Sequence, residues 1–366
     1  MQIEHLSMQS LEIPFKQSFR HASAVRKSTE TVLVKAISKS GHVAYGEGCP
    51  RCYVTGETTE SALQFFERIS AHIYGIRCLN DLKRWISYHE AEINKNPAAW
   101  CAVELALLDL LAREVGESVD SLLGLPELSN SFRYSAVLGA DDLAVYAKQL
   151  QRYVQMGFAD FKVKVSGNLA QDQEKIALLK NMNTRASLTV RLDANNLWKD
   201  ATQAIEYVSA LNFPFQGIEE PLAVNDYTGC QKISAVLKIP IILDESFLNN
   251  AQFDDLTEYP GNWVINLRIS KMGGILRALA IAQKAEEMNI PLVIGAQVGE
   301  TSILSRAALS VVNACREQVV AQEGAFGTYL LKRDVTDHPI MFGKGGKLDA
   351  SCYRGEAGFS IHYNFG

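Results

Sequence analysis

The chain lacks the features that commit a protein to a membrane or to nucleic acid. No run of 18 apolar residues occurs in its 366 residues, so no segment reads as a membrane-spanning helix. Its start, MQIEHLSMQSLEI, has no basic stretch leading into an apolar one; it does not read as a secretory leader, and a cytoplasmic protein is expected. Lys and Arg never gather into a stripe, and a net charge of −5 with both signs interspersed argues against a nucleic-acid surface. Cysteine is sparse and odd in number: seven, scattered from Cys49 to Cys352, which reads as free thiols rather than a disulfide framework. The one close pair, Cys49 and Cys52, has no second ligand pair at zinc spacing and no thioredoxin-like context, so it reads as two incidental thiols. A Gly-rich phosphate loop after the first strand of the alternating region is also missing, which argues against an open doubly wound sheet.

What is present divides into two patterns. Residues 1 to about 48 alternate as strands, and TVLVKAISKSGHVAYGEG reads as a hairpin turning at Ser40-Gly41. Helical patterns follow, among them TESALQFFERISAHIY and the apolar AAWCAVELALLDLLAREVG, stopped by Gly116. Strands followed by helices without alternation suggest a separate α+β unit. From about residue 132 short β runs alternate with helical segments. The strands are FRYSAVLG, FADFKVKV, ASLTVRLD, QGIEE, IPIILD, WVINLR, IPLVIG and QVVAQE. Eight strands on a β-then-α rhythm predict an α/β fold closed as a barrel. The expected division is 1–125, 126–334 and a Gly-rich segment 335–366 that returns to the first unit.

Five ionisable residues fall on this rhythm: Lys164, Asp193, Glu219, Asp244 and Lys271, at intervals of 25 to 29 residues. Each ends or just follows an apolar run, and the active site of such a barrel is assembled at the C-terminal ends of its strands. Three carboxylates in register repel one another unless a cation neutralises them. Hard oxygen donors with no His or Cys among them favour Mg²⁺ over Zn²⁺. Asn195 and Glu245 stand beside two of the three carboxylates and are read as groups that orient them. Lys162 lies two residues before Lys164, so strand alternation puts both on one face, where two ammonium groups would depress each other's proton affinity. Strands two and six of an eight-fold ring are opposite, so Lys164 and Lys271 are expected to serve the two faces of one planar intermediate.

These residues resemble the enolase superfamily, in its muconate-lactonizing-enzyme subgroup. The resemblance is carried by Lys162-Val-Lys164, Asp193-Ala-Asn195, Ile218-Glu219-Glu220-Pro221, Asp244-Glu245-Ser246 and Lys271-Met-Gly273-Gly274, in that order. It covers essentially the whole chain. It implies a modified (β/α)7β TIM-type barrel with an N-terminal α+β capping domain. It also implies Mg²⁺ on Asp193, Glu219 and Asp244, and abstraction of a proton α to a carboxylate through an enediolate, chemistry of a kind known for enolase-type sites. The mandelate-racemase branch would place a His where this ring offers Lys271 and then Gln297, so that branch is set aside.

The expected partner is a small-molecule carboxylate substrate, and barrels of this kind often form homo-oligomers. Two opposed lysines suit a racemase or epimerase of an amino-acid derivative or dipeptide. The same site also suits a muconate-type cycloisomerase or an o-succinylbenzoate-synthase-like dehydratase, and a non-catalytic metal-binding barrel is the alternative of another class. Substrate contacts are expected from the loop SFRHASAVRKSTE, with Arg20, His21 and Arg26, and from CPRCYVTGE, with Arg51 and Tyr53. Gln297 and Glu300 follow the seventh strand and Glu323 the eighth. Dipeptide epimerases of the subgroup often carry Asp-x-Asp after the eighth strand, where this chain has Gln322-Glu323-Gly324.

Overall fold

A computed structural model describes residues 1–21, 24–139, 142–182 and 188–365; the side chains of residues 17–25 lie outside that description. The chain opens with β1 (Ile3–Leu11), β2 (Pro14–His21), β3 (Ala24–Ser28), β4 (Thr31–Ser38) and β5 (Val43–Gly48). β1, β4 and β5 form an antiparallel sheet in that order. The turn between β4 and β5 falls where the sequence put it, with Gly41 at φ 89° and its amide donating to Ser38 O at 2.9 Å. β2 and β3 pair with each other. The segment SFRHASAVRKSTE, expected as a loop, is therefore mostly a two-stranded ribbon, whose ladder satisfies backbone groups a loop would leave to water.

The apolar helix Pro97–Val115 has buried residues on every side and ends at Gly116 in the left-handed conformation. Such a helix belongs in the middle of a molecule. It packs on β4 and β5 and, beyond them, against the short helix Ile269–Met272. The fit is backbone on backbone: a Cβ at Gly46 would lie 2.0 Å from Ala102 O, and one at Gly48 1.9 Å from Ala98 O. Neither position accepts a side chain.

β6 (Ser131–Arg133) pairs antiparallel with β15 (Lys347–Asp349) outside the barrel. The barrel itself runs β7 (Ala136–Leu138), β8 (Asp160–Lys164), β9 (Thr189–Asp193), β10 (Ile218–Glu219), β11 (Ile241–Leu243), β12 (Trp263–Leu267), β13 (Leu292–Ile294) and β14 (Val319–Gln322), all parallel and in sequential order. Ser135 N donates to Gln322 O at 2.8 Å, joining the first strand to the last. FRYSAVLG, expected as one barrel strand, thus divides at Tyr134-Ser135: its first part pairs outside and its second enters the ring.

Buried acids tie the N-terminal elements to the barrel. Glu47 accepts from Thr301 N at 3.1 Å and Thr301 Oγ1 at 2.7 Å, at the start of helix Ser302–Ala314. Glu104, in the apolar helix, accepts from Leu276 N at 3.0 Å, at the start of helix Ile275–Glu287. Each satisfies amides that a helix start leaves without partners. The chain end also returns to the apolar helix: Phe359 N and Tyr363 OH donate to Asp109 at 2.9 and 3.0 Å. All seven cysteines are unpaired, Cys49 buried and Cys52 exposed. Among the described residues, no helix is long and apolar enough to cross a membrane.

Candidate active site

The barrel's parallel register brings the carboxylates together. Lys164, Asp193 and Glu219 are successive cross-strand partners on β8, β9 and β10. Ile242 is the partner of Glu219 on β11, and Asp244 lies two residues further along the chain. All four are buried.

The lysines differ in what they touch. Lys162 Nζ lies 2.6 Å from Glu219 Oε2, 3.2 Å from Glu323 Oε2 and 3.4 Å from Asp193 Oδ2. Burial lowers its proton affinity, but these three carboxylates outweigh it and hold the ammonium well above the usual lysine range. The sequence expectation that the lysine pair would lower its own pKa is not met at Lys162, because the carboxylates are nearer. Lys164 Nζ has two acceptors, Asp193 Oδ2 and Asn195 Oδ1, both at 2.8 Å. Lys271 Nζ has three: Asp244 O at 2.7 Å, Asp244 Oδ1 at 3.0 Å and Asn266 O at 2.7 Å.

A cavity of about 320 Å³ opens above this cluster. Its polar lining includes Lys162, Lys164, Asp193, Arg268, Gln297, Glu300, Glu323 and Tyr53, and its apolar lining includes Val137, Tyr153, Phe326, Tyr329 and Phe342. Lys271 and Asp244 are not among its lining residues. Arg268, just past β12, pairs with Asp244 and donates to Gln297 Oε1 at 3.1 Å.

By its chemistry the donor set is of the kind that a hard divalent cation takes. It is all oxygen, on three consecutive strand ends, and it repels itself: burial first, then Asp193, Glu323 and Asp244, push the Glu219 carboxyl up to about 7 against the pull of Lys162. Asp244 is held below its usual range, because Arg268, Lys271 and Lys162 together overcome the cost of burial. As placed, with Lys162 and Arg268 between them, no three His, Cys, Asp or Glu side chains among the described residues converge as a metal cage.

Several residues to which the sequence reading gave no role support the site. Glu220 Oε1 accepts from Asp244 N at 2.6 Å and Ser246 N at 2.8 Å, while Ser246 Oγ donates to its Oε2 at 2.8 Å. Glu220 thereby holds the loop that carries Asp244. Its own φ of 41° turns it away from Glu219. Asn266 Nδ2 donates to Glu219 Oε1 at 3.0 Å. Arg191 lies 3.0 Å from Asp160 Oδ1 and 3.6 Å from Glu323 Oε1.

Among the residues expected to orient the carboxylates, Asn195 holds Lys164 as described. Glu245 is buried beside Asp244, and its carboxyl is pushed up to about 9, by burial first and then by Asp244 and Glu220. The expected substrate contacts divide. Tyr53, Gln297, Glu300 and Glu323 line the cavity. Burial raises the Glu300 carboxyl to about 8. Arg26 pairs with Glu30 and lies 5.8 Å from the ring centre of the cavity-lining Tyr53, and is not itself among the lining residues. Arg51 does not line the cavity: it is fully buried and donates to four backbone carbonyls, Pro50, Val298, Glu30 and Thr29, at 2.6 to 3.2 Å. It is a strut between the N-terminal loops and the loop after β13. The side chains of Arg20 and His21 lie outside the described residues.

Comparison with known proteins agrees with this architecture. The enolase C-terminal domain-like family model matches residues 145–355. A hydrophobic dipeptide epimerase of Enterococcus faecalis is 29% identical over 308 residues, covering 83% of this chain and 84% of that protein. An N-succinyl-L-Arg/Lys racemase of Bacillus cereus is 23% identical over 337 residues, 92% and 90% of the two chains. The crystal structure of a dipeptide epimerase from Cytophaga hutchinsonii, complexed with Mg and the dipeptide D-Ala-L-Val, superposes with a TM-score of 0.87 at 25% identity, over 100% of this chain and 97% of that one. The chain belongs to the enolase C-terminal domain-like family, within the enolase superfamily and its muconate-lactonizing-enzyme subgroup, and is an isomerase.

Proposed function

We propose that this chain is a Mg²⁺-dependent isomerase that removes the proton α to the carboxylate of an amino-acid derivative or dipeptide, with Lys164 as the acid–base group. One observation carries the reading. Of the three lysines at the site, Lys164 alone both lines the cavity and has, among the described residues, two acceptors, leaving one position of its nitrogen for a substrate. Mg²⁺ on Asp193, Glu219 and Asp244 would supply the charge stabilisation that an α-proton beside a carboxylate needs, since a lysine alone is too weak a base. Asp193 and Asn195 aim the Lys164 nitrogen. Lys162 keeps a fixed positive charge among the carboxylates. The apolar wall excludes water and suits an apolar side chain of the substrate.

Epimerisation results if the proton returns to the opposite face, and the names of the relatives support that outcome. A second outcome, isomerisation on one face as in a cycloisomerase, is supported by the absence of a second lysine among the cavity-lining residues across from Lys164. The test is exchange in D₂O with Mg²⁺ over dipeptides, N-acyl amino acids and unsaturated dicarboxylates. Deuterium on an α-carbon supports the proposal, and exchange undiminished in Lys164→Ala rejects it.

A further inference from the structure

The side of the cavity opposite Lys164 is formed by the end of β12, four strands away in a ring of eight. Two cations lie there, three residues apart in sequence. Lys271 is buried in the short helix Ile269–Met272. Its three N–H bonds match three acceptors, two of them backbone carbonyls, so none remains for a substrate. Arg268 is different. It lines the cavity together with Lys164, and its Nε is buried without a partner among the described residues.

We infer that Arg268, and not Lys271, is the group that meets the substrate across from Lys164, so that the two faces of the substrate are chemically unequal. The inference rests on proton removal by Lys164 as proposed above. A guanidinium stays charged at every pH at which the protein is folded, and its planar fork binds a carboxylate or an enolate oxygen without taking a proton from carbon. Lys164 takes the α-proton, the C–H electron pair moves into the carboxylate, and the ammonium so formed delivers a proton on that same side, to the α-carbon in the exchange measured below or to another carbon of a conjugated substrate in an isomerisation. No proton moves on the Arg268 side, where the guanidinium holds the developing negative charge in place. A lysine on each side would make inversion at the α-carbon direct; this pairing makes transfer on one face the direct path.

The test follows loss of the α-proton of the C-terminal residue by NMR in D₂O with Mg²⁺, for L-Leu-L-Tyr and L-Leu-D-Tyr in parallel. One stereoisomer is expected to exchange and the other to be slower by roughly 100-fold or more, the loss typical of a missing acid–base group. In Arg268→Lys, which keeps a cation beside Asp244, the slow stereoisomer is expected to speed up relative to the fast one. Arg268→Gln is the second variant: exchange of the fast stereoisomer should weaken while its sidedness stays. Equal rates for both stereoisomers in the wild type, abolished together in Lys164→Ala, would overturn the role of Arg268 and leave the proposed function intact. Exchange that persists in Lys164→Ala rejects the proposed function itself.

Discussion

Lys162 Nζ lies 2.6 Å from Glu219 Oε2, reaching from β8 past β9 to β10. The ammonium therefore stands in the middle of the carboxylate set, within 3.4 Å of Asp193 as well. A bound cation and this ammonium would share the same oxygens, which ties the metal to the stability of the fold.

That coupling can be measured directly. Mg²⁺ should raise the thermal midpoint, by about 2.7 kcal/mol of stabilisation at a concentration 100 times its Kd. Asp244→Asn should lose both this stabilisation and turnover, and protein treated with a chelator should regain activity when Mg²⁺ is restored. Normal turnover after complete chelation would remove the metal from the mechanism.

Lys164→Ala should lower turnover by roughly 10² to 10⁴, the range of a lost acid–base group. The thermal midpoint should change little by comparison, because only Asp193 and Asn195 lose a partner. A steady-state assay beside a melting curve separates the two effects. A large fall in the midpoint with modest loss of turnover would give Lys164 a structural role instead.

Glu220→Ala should act at a distance. It leaves the amides of Asp244 and Ser246 buried without their acceptor, at a cost of about 1 to 3 kcal/mol each for an unsatisfied group. The loop that carries Asp244 loosens, so Mg²⁺ affinity should fall as well. Titration calorimetry with Mg²⁺ checks this; an unchanged affinity would confine Glu220 to folding.

Glu47 gives a pH prediction with a definite sign. Burial pushes its carboxyl up to about 7 against the hydrogen bonds from Thr301. Its folded pKa lies above the unfolded one, so the folded state holds the extra proton. Its contribution to stability is most favourable below the unfolded value and is lost as pH rises to about 7. Glu47→Gln removes that dependence. Relative to wild type, the variant should gain stability, on the order of 3 kcal/mol, between pH 4.5 and 7. Denaturant unfolding at the two pH values measures it, and parallel curves would reject it.

The eight barrel strands and the three carboxylates were legible because one strand–helix unit has a nearly fixed length. Lys271 shows the limit of that reading. Its interval matches the others, but it sits in a helical turn past the end of β12, and counting residues does not give the direction of a side chain. Arg268, three positions earlier, immediately follows β12 and reaches the cavity; extending the alternation of WVINL by one residue was the available signal. Glu220 was passed over beside Glu219 because its left-handed backbone, which turns the second acid away from the first, leaves no trace in composition. Arg51 was expected as a substrate contact from its loop, and only the structure shows four carbonyls around it. The β2–β3 ribbon was missed because its charged, Ser-rich sequence reads as loop, and the pairing that makes it strand is tertiary.

Glu47 and Glu104 belong to the N-terminal elements, yet the helix starts they satisfy belong to the barrel. A fragment beginning near residue 126 would leave the amides of Thr301 and Leu276 without the acids that receive them. The two units are thus not interchangeable parts. A chimera that borrows its cap from a relative must bring acids to the same two places, and libraries that vary substrate preference by exchanging caps will be filtered first for those contacts and only afterwards for chemistry.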